Sequence, residues 1–172
     1  QFELGNIAAR RGDLPTAVAY FRNAFTVSQA MSSNRELRIH ILACNNLAYH
    51  LHLQGDPAAV DYAERGLLLA QEKGALSALP YLYSTRGEIA LARHALDEAE
   101  GFFREGLVLA EQFAAAERVA GLTANLGLVA KARGAVEQAR PLLLTALAQV
   151  ESLNIRFMVA QISLWLAPLM PS

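Results

Sequence analysis

The side chains best suited to metal or redox chemistry in this chain are four histidines and a single cysteine, Cys44. His40 stands four residues before Cys44, a spacing that places both on one face of a helix, as half of a metal site would require. His50 and His52 are two residues apart and would point to different faces. Because no second cysteine or paired carboxylate completes a tetrahedral set, we expect neither a metal nor any other cofactor.

Nucleophilic catalysis needs a serine, cysteine or similar group held beside a base. No combination of serine, histidine and aspartate of that kind stands out in the sequence. The candidates fall in helical patterns, whereas catalytic groups usually sit on loops that a rigid scaffold positions. We therefore expect no enzymatic activity and assign no catalytic residue.

Composition favours one compact soluble domain spanning residues 1–172. The chain is 53% hydrophobic and 18% charged, which argues against disorder. A formal net charge of −1 gives no broad attraction to phosphate backbones or anionic membranes, so we expect neither nucleic acid nor membrane as a partner. No apolar run reaches the roughly 18 residues of a membrane helix. A lone cysteine and no signal peptide favour the cytoplasm.

The chain repeats itself with a period of about 40 residues. LGNIAARRGDLPTA, from Leu4, matches NLGLVAKARGAVEQA, from Asn125, and two further copies lie between them. Each copy has a leading small residue, at Gly5, Ala48, Gly87 and Gly127, with spacings of 43, 39 and 40. Each also has a second small residue, at Ala17, Ala59, Ala99 and Ala139. We delimit the repeats at about 1–33, 34–74, 75–114 and 115–154.

Every repeat contains two helical patterns and no β-alternation, so we predict an all-α fold. Glycine or asparagine, able to adopt the left-handed conformation, should end the helices at Gly12, Gly55, Gly74, Gly134 and Asn154. Glycine inside a helix costs about 1 kcal/mol relative to alanine. We explain the small residues by close packing of paired helices, with bulky residues such as Phe21, Phe103 and Leu143 filling the space between pairs.

These features together resemble the tetratricopeptide repeat (TPR): leucine and glycine in a first helix, then Gly-Asp, then alanine, aromatic and alanine in a second. The resemblance covers Leu4 to about Leu153. The 40-residue period is similar to the variant found in kinesin light chains, Pins-type spindle-orientation adaptors and the repeat region of large bacterial NTPase-linked transcription activators. The phrases CNNLA and ANLG resemble the opening of those repeats. The composition, rich in alanine and leucine and poor in lysine, favours a bacterial source.

The resemblance implies a right-handed α-α superhelix of about four helix hairpins, whose first helices line a concave groove. By helical spacing, the residues expected to face that groove and bind a partner are Asn6, Asn45, Asn46, Tyr49, His52, Tyr81, Ser84, Glu88, Asn125, Leu128 and Lys131, with Phe2 and Thr85 beside them. In the adaptor families, an asparagine placed like Asn46 and Asn125 bonds the main chain of the ligand. The alternative is an amide that bonds a neighbouring helix end or water, and Tyr49 and Tyr81 are equally compatible with packing. Tyr83 is expected in the core.

The final segment, residues 155–169, predicts one more helix, ended by Pro168 and Pro171. Its Phe157, Ile162, Trp165 and Leu166 should cover the fourth pair. Since the chain begins at Gln1, inside a repeat, we expect it to be a piece of a longer protein. If that protein continues past Ser172, this helix would begin a fifth pair instead.

Three functions remain open from the sequence. The first is a non-catalytic scaffold module that binds a protein or peptide segment in the groove and takes part in signalling. The second is the sensor arm of a bacterial signalling ATPase or transcription regulator, which would bind a small-molecule effector. The third is a spacer that forms a homo-oligomer through the C-terminal helix.

Overall fold

The computed structural model describes residues 1–29 and 34–170, and all the regular structure within them is helical. Two short 3-10 turns, Leu76–Ala78 and Ala167–Leu169, adjoin longer helices. The nine α-helices of the described residues are α1 (Phe2–Arg10), α2 (Leu14–Ser28), α3 (Asn34–Leu53), α4 (Ala59–Glu72), α5 (Leu79–Ala92), α6 (Leu96–Gln112), α7 (Ala116–Ala132), α8 (Val136–Ser152) and α9 (Arg156–Leu166). The prediction of an all-α helical-repeat fold is confirmed.

The chain divides into two compact units, an N-terminal unit (Gln1–Ile89) and a C-terminal unit (Ala90–Ser172). Helices that follow each other in sequence pack together: α1 to α4 in the N-terminal unit, and α6 to α9 in the C-terminal unit. Each predicted repeat contains two of the α-helices, with α9 as the extra terminal helix. The assignment of one domain over 1–172 stays a prediction, and Pro171 lies outside the described residues.

Small residues let the paired helices approach closely, as predicted. The second small residue of every repeat is buried: Ala17, Ala99 and Ala139 have no exposed surface and Ala59 has 2%. A Cβ atom added to Gly5 would lie 2.6 Å from the Phe21 ring. Real Cβ atoms do not approach other atoms so closely, so only glycine fits there.

Close packing at a glycine also occurs in the C-terminal unit. In the C-terminal unit, a Cβ atom on Gly127 would lie 2.9 Å from Cγ of Leu143. The bulky residues Phe21, Phe103 and Leu143, predicted to fill the space between pairs, are fully buried. Each unit thus has an apolar interior built from alanine on one helix and leucine or phenylalanine on the next.

Seven of the helices, α1 and α3 to α8, end in the same way. A residue with positive φ follows the helix, and the N–H after it bonds a carbonyl five residues back, the pattern of a Schellman motif. Examples are Asp13 to Ala8, Ala75 to Ala70 and Ala135 to Ala130, at 2.8–3.1 Å. The predicted positions Gly12, Gly55, Gly74, Gly134 and Asn154 all have φ between 57° and 76°.

Two further helix ends were not predicted, because no glycine or asparagine marks them. The residue with positive φ is His94 (φ 58°) after α5 and Ala114 (φ 52°) after α6. The Ala115 N–H nevertheless bonds the Ala110 carbonyl at 2.8 Å, as in the other Schellman motifs. The repeat therefore imposes the left-handed conformation even on alanine, which the conformation disfavours.

The terminal helix α9 only partly matches its prediction. Ile162 and Leu166 are buried in the core of the C-terminal unit, and Trp165 packs against it. Phe157 was expected to cover the fourth pair, but it is 66% exposed. The prediction was wrong for Phe157 because the buried face of this helix runs through Met158, one position further along.

Replacing Ala139 with leucine should lower the free energy of unfolding by about 1–3 kcal/mol, because the added atoms overpack the contact between α7 and α8. Ala148→Leu is the matched control, since Ala148 lies on the exposed face of the same helix and should change stability by less than about 0.5 kcal/mol. Urea unfolding followed by circular dichroism measures both. Equal effects would contradict the packing role of Ala139.

Ala114→Gly should raise the free energy of unfolding by about 0.5–1 kcal/mol, because glycine adopts positive φ without the steric cost that alanine bears. Ala148→Gly, at an exposed position inside a helix, should lower it by about 0.5–1 kcal/mol. Thermal unfolding of the two variants checks this opposition in sign. A loss of stability in Ala114→Gly would contradict the left-handed helix end.

Candidate functional site

Four polar side chains form a continuous hydrogen-bonded chain across three first helices of the N-terminal unit. Thr85 Oγ1 on α5 donates to Asn45 Oδ1 on α3 at 2.9 Å. Asn45 Nδ2 donates to Asn46 Oδ1 at 3.4 Å. Asn46 Nδ2 then donates to Asn6 Oδ1 on α1 at 3.3 Å. We call Asn6, Asn45, Asn46 and Thr85 the amide chain.

The amide chain brings together three asparagines that the sequence predicted for the binding face, and Thr85 beside them. The sequence did not show which of these side chains meet. Both bonds between helices join residues 40 positions apart. Alignment by the leading small residues sets Gly5 against Ala48, 43 apart, and so does not pair Asn6 with Asn46. The available signal was the 40-residue separation of polar residues, which the repeat period matches.

The amide chain has unused hydrogen-bonding capacity. A carboxamide offers two N–H donors and two acceptor lone pairs, and Asn46 uses one of each within the chain. Among the described residues, the nitrogen of the Asn6 amide donates to no protein acceptor, and Asn6 is only partly buried. The two bonds between amides, at 3.3 and 3.4 Å, are longer than the usual 2.9–3.0 Å. A ligand could therefore replace them at little cost.

Large side chains lie near the amide chain in sequence and share its helices. Tyr49, on α3, is partly buried and meets the ring of His50 edge-on at 5.2 Å. Tyr81, on α5, is 39% exposed. His52 is partly buried, and burial lowers its pKa. Tyr83 is 8% exposed, which confirms its expected place in the core.

Ser84 and Glu88 form a local pair rather than an open contact point. Ser84 is 3% exposed, and its hydroxyl donates to Glu88 Oε1 one helical turn away at 2.9 Å. Glu88 is partly buried. The predicted binding role of both residues stays a prediction, with the carboxylate offering more surface than the hydroxyl.

The predicted binding residues of the C-terminal unit lie on α7 and are less accessible to a partner than those of the amide chain. Asn125 is 7% exposed and Leu128 is partly buried. Lys131 Nζ donates to the carbonyl oxygen of Trp165 at 3.0 Å, which ties α7 to the end of α9. Their role in binding also stays a prediction, and the stronger geometric case belongs to the amide chain.

His40, His50 and Cys44 are buried in the N-terminal unit, whereas His94 is exposed on the C-terminal unit. The hydroxyl of Ser28 donates to the Phe25 carbonyl at 3.0 Å. Since that hydroxyl has one proton, His40 Nδ1 donates to it at 2.8 Å. His40 also stacks on Phe25 at 4.5 Å. Burial raises the pKa of the Cys44 thiol to about 12, so the thiol is protonated and unreactive.

His50 supports the amide chain directly. Its Nδ1 donates to the main-chain carbonyl of Asn46 at 2.7 Å, and its ring lies 5.1 Å from that of Phe21. Burial lowers the pKa of His50, so the imidazole is neutral at pH 7. Within residues 1–29 and 34–170, no three histidine, cysteine, aspartate or glutamate side chains cluster as metal ligands would.

Ion pairs link neighbouring helices within each unit. Arg86, whose side chain is 10% exposed, lies 3.2 Å from Glu64 and joins α5 to α4. In the C-terminal unit, Arg133 bonds both Asp97 and Glu100 and so joins the end of α7 to α6. These pairs fix helix positions and lie outside the amide chain.

Comparison with known proteins identifies the fold. The structure is similar to that of BtubC (BKLC) from P. vanneervenii, with a TM-score of 0.77 and 20% sequence identity over 96% of this chain and 68% of that one. No family profile matches the chain, and no curated protein matches its sequence. At this identity the likeness concerns the helical-repeat fold. None of the described helices is long and apolar enough to cross a membrane.

Acidification should destabilise the protein through His40, His50 and His52. Burial lowers the pKa of each below its ordinary 6.5, so the unfolded chain binds more protons. Their contribution to the free energy of unfolding is complete above pH 6.5 and is lost as pH falls toward the lowered values.

Urea unfolding at intervals from pH 7.5 to pH 5 measures this dependence. Each buried histidine can add a slope of up to about 1.4 kcal/mol per pH unit. His52→Gln should reduce the slope, while Gln54→Ala, at an exposed position in the same turn, should leave it unchanged. A free energy of unfolding that is constant over this range would show that these imidazoles are not buried as neutral groups.

Proposed function

We propose that this chain is a non-catalytic binding module built from tetratricopeptide-type repeats, which captures an extended peptide segment of a partner protein. The observation that carries the proposal is the amide chain, which crosses α1, α3 and α5 on one face of the N-terminal unit. The partner is a cytoplasmic protein, and no nucleic acid, membrane or cofactor takes part.

The chemistry of an extended peptide matches that of the amide chain. A peptide main chain presents N–H donors and C=O acceptors in alternation, and each free amide can satisfy either. The long bond between Asn46 and Asn6 can open toward such a ligand. The shorter bond from Thr85 keeps Asn45 oriented while it does so. The Asn6 end of the amide chain can therefore exchange its hydrogen bond for one to the ligand. The Thr85 end meanwhile keeps Asn45 in position.

Tyrosines near the amide chain suit the side chains of the ligand. Tyr81 is 39% exposed, and Tyr49 is partly buried. A tyrosine gives a large contact surface at a small cost in conformational entropy, together with a hydroxyl that can bond a polar group. Recognition would therefore combine main-chain hydrogen bonds with aromatic contacts. In the C-terminal unit, Asn125, Leu128 and Lys131 are proposed to contribute further contacts.

The test begins with a peptide selected from a random library for binding to the intact chain. Asn6→Ala combined with Asn46→Ala should weaken its binding by roughly tenfold or more, because each lost hydrogen bond is worth about 0.5–1.5 kcal/mol. Asn23→Ala, at an exposed position on α2, is the matched control and should leave affinity unchanged. Titration calorimetry gives the dissociation constants, and circular dichroism confirms equal folding.

Because the amide chain has no charged member, affinity should change by less than about threefold between 50 and 500 mM salt. Unchanged affinity in the doubly substituted variant, with folding intact, would contradict the proposed binding face. The proposed binding face would also be contradicted if every peptide selected from the library bound through charge and lost affinity steeply with salt.

A further inference from the structure

The terminal helix α9 carries a conspicuous exposed apolar face. Leu164 is 75% exposed and Phe157 is 66% exposed, the two highest values among the large apolar side chains of the described residues. They are seven residues apart and therefore lie on the same side of the helix. Ala160 and Gln161, between them on that side, are also exposed. We call Phe157, Ala160, Gln161 and Leu164 the α9 face.

The repeat shows that α9 copies the way in which α7 packs on the helix before it. On α7, Leu122, Leu126 and Val129 are buried in the same apolar cluster as Phe103 of α6. Forty residues later, the equivalent residues of α9 and its following turn are Ile162, Leu166 and Leu169, all buried with residues of α8.

The opposite sides of α7 and α9 differ in burial. On α7, Ala120 and Ala124 are buried in a cluster with Ala139 and Leu143 of α8, the next helix. Their equivalents 40 residues later are Ala160 and Leu164, which are exposed. The α9 face therefore includes the side that a following helix covers on α7.

A helix like α8 would not fit this side as α8 fits α7. Gly127 is what allows Leu143 to approach α7, since a Cβ atom there would lie only 2.9 Å from that leucine. The equivalent of Gly127 is Ala167, and the equivalent of Ala124 is the much larger Leu164. The fitting occupant is a helix with small or flexible residues at the crossing and large apolar residues on each side of it.

The α9 helix of a second copy meets this requirement. In an antiparallel pair centred between Ala160 and Gln161, Phe157 lies opposite Leu164 of the second copy, and Leu164 lies opposite Phe157 of the second copy. Both large side chains of each copy are then covered, and the centre contains alanine and the flexible side chain of glutamine. The arrangement satisfies the self-complementarity that a two-fold interface demands.

Charge favours the antiparallel arrangement over a parallel one. The only charged residue of α9 is Arg156, at its N-terminal end. An antiparallel pair places this cation near the C-terminal carbonyl end of the other helix, where the helix dipole favours positive charge. A parallel pair would bring the two arginines together.

We propose that the α9 face is the contact surface of an antiparallel homodimer of this chain. One pair of helices of this length buries less than the roughly 1,200–2,000 Å² of a standard interface, so the dimer is weak and forms reversibly with concentration. The contact is independent of the amide chain, because α9 lies in the C-terminal unit and the amide chain in the N-terminal unit.

Sedimentation equilibrium of the intact chain at several concentrations tests the proposal. The expected result is a monomer–dimer equilibrium that Leu164→Glu and Phe157→Lys each weaken by roughly 10–100-fold, from the loss of two buried apolar side chains per dimer. Val108→Glu, at an apolar position of α6 that is 53% exposed, is the matched control and should leave the equilibrium unchanged.

Mixing the two weakened variants decides the orientation. In the antiparallel pair, the introduced carboxylate of one variant meets the introduced amine of the other, while the second contact stays Phe157 with Leu164. The mixture should therefore dimerise more strongly than either variant alone. A chain that is monomeric at all concentrations, as when another helix or protein covers the face, would overturn the proposal. A dimer insensitive to Leu164→Glu, or no gain on mixing, would overturn it as well.

Discussion

The close approach of neighbouring helices at small residues is the constraint on which the other features depend. Gly5 lies against the Phe21 ring and Gly127 against Leu143, with no room for a methyl group at either place. The alanines of the second helices, Ala17 and Ala139 among them, are buried completely. Glycine lowers the intrinsic stability of a helix, so these positions are explained by the dispersion and burial gained when two helices touch along their length.

Close packing also brings polar side chains of different helices within bonding distance. Asn6, Asn46 and the neighbouring Asn45 reach across from α1 to α3, and Thr85 reaches from α5. These short side chains could not bond across helices held further apart. The same packing buries His50, which fixes the Asn46 carbonyl by donating to it. The amide chain is therefore a consequence of the close packing in the repeat. Its polar residues form a surface that is separate from the apolar core.

Much of this fold could be predicted from the sequence because the same pattern of small and apolar residues recurs in four copies. Four copies of a small residue at nearly constant spacing predicted the helix pairs, and glycines such as Gly12 and Gly134 marked the ends. The end at Ala114 was missed because its conformation comes from the repeat geometry and not from the residue itself. Phe157 was misplaced because hydrophobicity alone does not say which side of a helix is covered.

The candidate site was predicted only in part, for a reason that lies in helix register. Helical spacing identifies which face of one helix a residue occupies, and it predicted Asn6 and Asn46 on the same face of two first helices. It does not give the relative shift of two helices along their axes, which decides that Asn46 meets Asn6 and that Asn45 meets Thr85. It also could not show that Lys131 would be engaged by the carbonyl of Trp165.

The central claim is that the asparagine amides of the N-terminal unit bind the main chain of a partner peptide. Its most direct test is a nuclear magnetic resonance titration that follows the side-chain amide signals of the intact, isotope-labelled chain as a selected peptide is added. If the amides bind the peptide, the signals of Asn6 and Asn46 shift in proportion to bound peptide, while that of Asn23, on the exposed side of α2, stays in place. Saturating peptide that leaves the Asn6 and Asn46 signals unmoved would contradict it.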